Sequence, residues 1–203
     1  MAEETQHRER TSRDNGLLLL AGMAAVMWIT EIADSIAFDL DRYGIEPRQV
    51  DGLDGILFAP FLHGGFGHLL GNTIPFLLLG FAIALSGLAR VAVVTAVVAL
   101  VGGAGTWLTG PENTVHIGAS GIVFGYAAYL VARFWWTRRA LDAGVALLVL
   151  AVYGTTLLTG LVPTPGVSWQ GHLFGAVGGV LGARLLHAQR PAGRPAPALS
   201  ASP

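Results

Sequence analysis

The sequence lacks cysteine altogether, which excludes disulfide bonds and thiolate catalysis and leaves the redox environment open. It is also poor in charge: charged residues make up 12% of the 203 residues, against roughly 25% in soluble domains. It contains no lysine, so all of its cationic side chains other than histidine are arginines. The formal net charge of −1 argues against a nucleic-acid partner, because such proteins carry a strongly basic surface.

Hydrophobic residues, which form 53% of the chain, are grouped into long runs between short charged stretches. Each run has about 17–21 residues, the length that a helix needs to cross roughly 30 Å of hydrocarbon. The runs have no polar face, which disfavours the alternative of a soluble all-helical core. We therefore predict an all-α, polytopic membrane protein with six transmembrane helices, at residues 17–37, 67–87, 90–108, 118–134, 141–160 and 170–188.

These spans divide the chain into three segments. Residues 1–16 are predicted to form a cytoplasmic N-terminal tail, and residues 17–188 the six-helix membrane domain. Residues 189–203 are rich in Pro, Ala and Ser, which predicts a disordered cytoplasmic tail. The long connection 38–66 mixes acidic and apolar residues, which is typical either of an interfacial loop or of an extracellular loop with a few buried anchors.

The arginines predict the orientation of the chain, because cytoplasmic loops carry an excess of positive charge. If the N-terminus is cytoplasmic, only Arg42 and Arg48 of the twelve arginines lie outside. Both termini are then cytoplasmic in a multi-pass integral membrane protein. The second, fourth and sixth spans each begin on the outer side.

Those three spans carry polar side chains close to their starts. His68 and Asn72 lie on one face of the second span, because residues four apart share a helical face. Ser120 lies at the start of the fourth span and His172 at the start of the sixth. Polar groups inside a membrane are costly and tend to mark a pathway or a reactive centre, so we expect the four to converge just below the outer surface.

Two rows of glycine predict that the fourth and sixth spans are neighbours. The rows are Gly118, Gly121 and Gly125 in the fourth span, and Gly171, Gly175 and Gly179 in the sixth. Small residues at this spacing let helix backbones approach closely in lipid. The approach would bring the Ser120 hydroxyl within hydrogen-bond reach of the His172 ring.

A serine beside a histidine is suited to nucleophilic catalysis, because the imidazole can accept the hydroxyl proton. His68, the Asn72 amide and the Ser120 backbone N–H could then hold the developing oxyanion. No acid accompanies these groups, so we predict a Ser–His dyad. Simpler interpretations stay open: a small packing serine, an interfacial histidine, an asparagine that caps or cross-links helices, or His116 as the base.

The motifs that carry these residues resemble those of the rhomboid family of intramembrane serine proteases. They are His68-x-x-x-Asn72, Gly118-x-Ser120-Gly121 and Gly171-His172-x-x-Gly175, in order along residues 17–188. The resemblance implies that Ser120 is the nucleophile, that His172 is the general base, and that His68 and Asn72 line the oxyanion hole with the Ser120 N–H.

The resemblance also implies a setting for the reaction. Family substrates are single transmembrane helices, cut near their outer end after local unwinding. They would enter laterally between the second and fifth spans, beside the connection 161–168. A bacterial plasma membrane is the expected location, with lipid around the protein and no metal or other cofactor. Neither the physiological substrate nor the oligomeric state follows from the sequence.

Two positions depart from the family pattern. Phe124 stands where many bacterial members have tyrosine, so its ring can stack on His172 but forms no hydroxyl bond. The Trp-Arg pair that many members carry in the first long loop is absent between residues 38 and 66. Two other functions remain as alternatives: a non-catalytic rhomboid-like protein that binds transmembrane helices, and a metal-binding transporter that uses His63, His68, His116 and His172.

Overall fold

The computed structural model describes residues 1–187, and the predicted C-terminal tail 189–203 lies outside this part of the chain. Within it the fold is an all-α polytopic bundle of six long helices and one helix of a single turn. The helices are α1 (Ala2–Ile36), α2 (Gly55–Phe58), α3 (Phe66–Ala84), α4 (Leu88–Thr109), α5 (Ser120–Thr137), α6 (Ala140–Thr159) and α7 (Trp169–His187).

The first helix is longer than the apolar run that predicted it. The run at 17–37 coincides with the second part of α1, and residues 2–16 continue the same helix. This segment has no proline, and its Glu4 and Arg8 side chains form an i, i+4 ion pair of 2.9 Å. The Ser12 hydroxyl also accepts a hydrogen bond of 3.2 Å from the Leu88 N–H, which ties the extension to the start of α4.

The other long helices follow the predicted spans to within a few residues. By length and composition, four described helices are able to cross a membrane: α1, α3, α4 and α6. Helices α5 and α7 are less apolar because they carry glycines and polar groups, and they lie at the centre of the bundle. Helix α7 packs between α4 and α5.

Glycine contacts bring α5 and α7 into direct backbone contact, as the two rows predict. A Cβ atom added at Gly175 would lie 2.2 Å from the Gly121 carbonyl oxygen, and one at Gly179 would lie 2.0 Å from the Gly125 oxygen. Neither backbone could yield to a side chain, so the spacing requires glycine. We call this contact the α5–α7 seam.

The apolar core fills the space between the helices and reaches as far as Ala119, next to Ser120. Its centre includes Phe76 of α3 and Tyr126 of α5, whose rings stack with centroids 5.6 Å apart. The Tyr126 hydroxyl bonds the Thr95 hydroxyl of α4 at 2.5 Å. The core thus fixes the helices below the end at which Ser120 lies, and we call that end the Ser120 end.

The segment between α1 and α3 folds over the Ser120 end as short helical turns. Three 3-10 helices lie at Asp41–Tyr43, Asp51–Leu53 and Ala59–Phe61. Arg48 attaches this segment to the end of α4, because its guanidinium contacts Glu112 at 3.1 Å and donates to the Gly110 carbonyl at 2.8 Å. The Trp107 indole N–H donates to the Gln49 carbonyl at 2.8 Å. A tryptophan of α4 and an arginine of the segment therefore dock it without a Trp-Arg pair inside the segment.

Candidate active site

Ser120 is the first residue of α5, and the turn before it is held in place by the preceding segments. The Gly118 N–H donates to the Ala59 carbonyl at 2.8 Å, and His116 exchanges two backbone hydrogen bonds of 2.9 Å with Ile45. Gly118 has a φ of +112°, which an L side chain rarely adopts. A Cβ atom there would also lie 2.8 Å from the His68 ring. Glycine is therefore required at this position for two independent reasons.

The Ser120 hydroxyl and the His172 ring are in hydrogen-bond contact across the α5–α7 seam. The distance from Ser120 Oγ to His172 Nε2 is 2.9 Å. On the other side of the ring, His172 Nδ1 lies 2.7 Å from the Gly160 carbonyl oxygen. Because a carbonyl only accepts, the proton is on Nδ1 and Nε2 carries the free lone pair. Ser120 therefore donates its hydroxyl proton towards His172.

Phe124 packs flat against the His172 ring, as the resemblance to the family pattern implies. The ring centroids are 4.1 Å apart, and the planes differ by 6°. His172 is buried between this ring and the end of α6, with 8% of its surface exposed. The arrangement limits rotation of the imidazole, although Phe124 supplies no hydroxyl group.

His68 and Asn72 lie on the other side of Ser120, next to Gly118. His68 Nδ1 is 3.4 Å from the Gly64 N–H, which directs the Nε2 proton towards Gly118. Asn72 is buried, and its Nδ2 has no acceptor among the described residues. The first N–H groups of a helix also lack intrahelical partners. The His68 imidazole and the Asn72 amide thus carry hydrogen-bond donors next to Gly118, two residues before the start of α5.

His116, the alternative base, has its ring turned away from Ser120. Its Nδ1 bonds the Ser168 hydroxyl at 2.7 Å, and its Nε2 bonds the Thr114 hydroxyl at 3.0 Å. Burial lowers the pKa of His116, so the ring is neutral at physiological pH. Both nitrogens are engaged by other residues, which leaves His172 as the imidazole in contact with Ser120.

His63 supports the site in a way that sequence reasoning missed. Its side chain is 1% exposed, and its Nε2 accepts the Ala119 N–H at 3.4 Å. The ring meets the His68 ring edge-on, with centroids 5.1 Å apart. Burial and the neighbouring His68 lower the pKa of His63 to about 4. No sequence signal identified this role, because the glycines next to His63 and His68 are not packing positions: an added Cβ at Gly65 or Gly67 would meet nothing within 4 Å.

A cavity of about 910 Å³ opens onto these groups. Its walls include Ser120, His172, His68 and Asn72, together with residues 163–170. The predicted lateral entry, the connection 161–168, therefore borders the cavity. In residues 1–187, no group of three or more His, Asp or Glu side chains is arranged to hold a metal ion.

Comparisons with known proteins find bacterial relatives that cover most of the chain. The chain is 43% identical to an uncharacterized protein of Mycobacterium tuberculosis over 194 residues, which is 91% of this chain and 80% of that protein. It is 43% identical to an uncharacterized protein of Mycobacterium leprae, over 91% of this chain and 77% of the relative. A Bacillus subtilis protein named "Putative rhomboid protease YdcA" is 32% identical over 62% of this chain and 63% of its own length.

The family comparison covers the larger part of the chain. Residues 52–189 match the Rhomboid domain, from the segment that folds over the Ser120 end through α7. This match includes His68, Asn72, Ser120 and His172. Because the Rhomboid domain match covers the larger part of this all-α membrane bundle, the chain belongs to the rhomboid family.

Proposed function

We propose that this protein is an intramembrane serine protease in which Ser120 and His172 form a catalytic dyad. The observation that carries the proposal is the contact of 2.9 Å between Ser120 Oγ and His172 Nε2, with His172 Nδ1 bonded to the Gly160 carbonyl. A serine becomes nucleophilic when an adjacent base takes its proton, and the tautomer of His172 leaves Nε2 free to do so.

The first half of the reaction forms an acyl-enzyme. Ser120 Oγ attacks the scissile carbonyl while His172 Nε2 accepts the hydroxyl proton. His68, Asn72 and the backbone N–H of Ser120 stabilise the tetrahedral oxyanion, each donor being worth about 3–4 kcal/mol in known cases. His172 then gives its proton to the leaving amine, and the peptide C–N bond breaks.

Water completes the reaction. It attacks the acyl carbon, loses a proton to His172, and releases the second product as Ser120 recovers its proton. The Gly160 carbonyl accepts from Nδ1 throughout, in the place that a carboxylate occupies in a catalytic triad. Because the carbonyl is neutral, it orients the imidazolium with less electrostatic stabilisation than an acid would provide.

The proposed substrates are transmembrane helices of other membrane proteins. The cavity lies at the end of a bundle whose outer surfaces are apolar, with exposed leucines on α3 and α6. A helix in lipid protects its carbonyls by its own hydrogen bonds, so it must unwind locally before Ser120 can reach one. Helices with glycine or proline near the cleavage point are the easiest to open.

The proposed location is a bacterial plasma membrane, with both termini in the cytoplasm. The arginine distribution supports this orientation, because Arg42 and Arg48 are the two on the Ser120 side. The dyad would then face the outer half of the membrane. The relatives reported above come from bacteria, which fits this location.

The proposal is tested by cleavage of a single-span substrate with the purified protein in detergent. Wild type should cleave it, and Ser120→Ala and His172→Ala should each lower the rate by about 10⁴-fold or more, since members of a catalytic unit are strongly non-additive. Thermal unfolding of the three proteins should be similar. Cleavage that survives Ser120→Ala would contradict the proposal.

A fluorophosphonate probe separates a protease from a helix-binding relative. The probe reacts when Ser120 Oγ displaces fluoride from phosphorus and His172 takes the hydroxyl proton. Labelling of wild type and not of Ser120→Ala would support a reactive serine even when the model substrate is a poor one. If folded wild type binds the substrate helix but is neither labelled nor active, the non-catalytic function is favoured.

A further inference from the structure

Helix α6 is the least buried of the helices around the active site. Three of its residues are buried: Asp142, Ala146 and Val149. It packs chiefly on α5, and the leucines along its other faces are exposed to the surroundings of the bundle. Because few of its side chains are buried against the rest of the protein, α6 depends heavily on the attachments at its two ends.

The first attachment lies at the start of α6, on the side of the bundle away from Ser120. Asp142 forms an ion pair of 2.7 Å with Arg133 of α5, and the two side chains are 3% and 14% exposed. Arg133 also donates to the Ser86 hydroxyl at 3.2 Å, in the turn between α3 and α4. A buried ion pair of this kind holds the start of α6 against α5.

The second attachment lies at Gly160, the C-cap residue directly after α6. Its carbonyl accepts the Nδ1 proton of His172, so the end of α6 touches the proposed base directly. A Cβ atom at Gly160 would lie 2.4 Å from Phe124 Cζ and 3.1 Å from His172 Nδ1. The backbone angles at Gly160, φ −69° and ψ −12°, suit any residue. The close approach, and not the backbone conformation, is what excludes a side chain there.

We infer that the Gly160 carbonyl is a positioning group for His172 and that the end of α6 sets the state of the base. This inference rests on the proposed protease function. With the carbonyl in place, the proton stays on Nδ1 and the ring presents Nε2 to Ser120. When the end of α6 moves away, Nδ1 loses its acceptor, and the ring can take the other tautomer, in which Nε2 is a donor and cannot accept the serine proton.

The consequence is that the dyad is competent only while α6 is closed against Phe124 and His172. The arrangement couples helix position to proton transfer through one backbone hydrogen bond. Gly160 therefore acts through its hydrogen bond to His172 and not through the substrate.

The test compares two glycine-to-alanine changes on the same helix. Gly160→Ala should push the end of α6 away from Phe124, whereas Gly154→Ala meets open space, with nothing within 4 Å of the added Cβ. The readout is the rate of fluorophosphonate labelling at Ser120. We expect a loss of roughly 10–100-fold for Gly160→Ala, since small misplacements of catalytic groups have effects of this size, and no loss for Gly154→Ala.

A second comparison, made in the Phe124→Ala variant, distinguishes a positioning effect of Gly160 from general destabilisation of the fold. In Phe124→Ala the ring that obstructs the new methyl group is gone, so adding Gly160→Ala there should cost much less than in wild type. Unfolding would instead make the two changes add or worsen. Labelling at the wild-type rate by Gly160→Ala would overturn the inference, while loss of labelling in Ser120→Ala would leave the proposed function standing.

The wild-type protein gives an independent measurement that needs no change at Gly160. In ¹⁵N-histidine-labelled protein, the His172 signals, assigned through their loss in His172→Ala, should show the proton on Nδ1. A proton on Nε2 in the resting protein would overturn the inference even if Gly160→Ala failed to fold. Labelling that persists in Ser120→Ala would instead refute the proposed function first.

Discussion

Two of the helices that contact α5 near the candidate active site, α7 and α6, do so in opposite ways. Helix α7 meets α5 along the seam, where Gly175 and Gly179 touch the backbone of the facing helix directly. Helix α6 meets α5 through a few buried side chains and is held at its ends by Asp142 and Gly160. Ser120 and His172 lie on opposite sides of the α5–α7 seam. The Gly160 carbonyl, which accepts from His172, lies at the end of α6, the helix that is packed less closely.

This difference teaches how the proposed dyad can be both fixed and gated. A backbone-to-backbone contact leaves no room for adjustment, so Ser120 and His172 keep their distance. A helix attached at its ends can move without disturbing that distance. Three predictions test whether the α5–α7 seam is more rigid than the contact between α5 and α6.

The largest effect is expected from breaking the seam with Gly179→Val. The Cβ atom alone would lie 2.0 Å from the Gly125 carbonyl oxygen, and a backbone cannot yield as a flexible side chain does. We expect a loss of at least about 3 kcal/mol in unfolding free energy, at the upper end of overpacking costs, together with loss of activity. Thermal unfolding in detergent measures it.

Gly144→Val on α6 is the matched control, because nothing lies within 4 Å of its added Cβ. It introduces the same side chain into a helix of similar length. We expect a change of well under 1 kcal/mol from helix propensity. Equal destabilisation by the two changes would mean that the seam is no tighter than the exposed faces.

A smaller and more local effect is expected from Asp142→Asn. The change removes one charge of the buried pair with Arg133 and leaves the guanidinium without its counterion, which typically costs about 3 kcal/mol when both groups are buried. Because Arg133 is partly exposed, we expect roughly half of that value. Hydrogen exchange should rise over residues 140–159 while α5 and α7 stay protected. A uniform rise across the bundle would contradict the separate behaviour of α6.

The smallest effect is expected from Gly154→Ala, in the middle of α6. The added methyl group touches nothing, and alanine favours a helix over glycine by up to about 1 kcal/mol. We expect a slight increase in thermal stability with unchanged labelling of Ser120. A clear decrease in stability would show that the exposed face of α6 packs more closely than the contacts indicate.

Much of the fold could be predicted from the sequence because its signals are side-chain patterns. Apolar runs placed the six long helices, and the glycine rows placed α5 beside α7, which brought Ser120 within hydrogen-bond distance of His172. The length of α1 was not predicted, because charged residues 2–16 carry no membrane signal. They extend the helix by ion pairing and by the contact between Ser12 and Leu88.

Contacts at the candidate site could be predicted from the sequence where helix patterns place the side chains. They could not be predicted where the residues lie in connections or where the partner is a backbone group. The partner of His116 could not be foreseen, since His116 and Ser168 both lie in connections between helices, where no helix-packing pattern places their side chains. Nor could the docking of Arg48 to the end of α4, which depends on the Gly110 carbonyl as much as on Glu112. The catalytic roles of Ser120, His172, His68 and Asn72 stay predictions that the experiments above address.

The sequence by itself determined the class of the protein, the six long helices and the types of residue that meet at the cavity. Only the tertiary structure decided which nitrogen of His172 carries the proton, because the Gly160 carbonyl makes that choice. Every residue has such a carbonyl, so no pattern of side chains distinguishes this one. Its position depends on where α6 ends in space, which is fixed by packing against Phe124 and by the pair of Asp142 with Arg133.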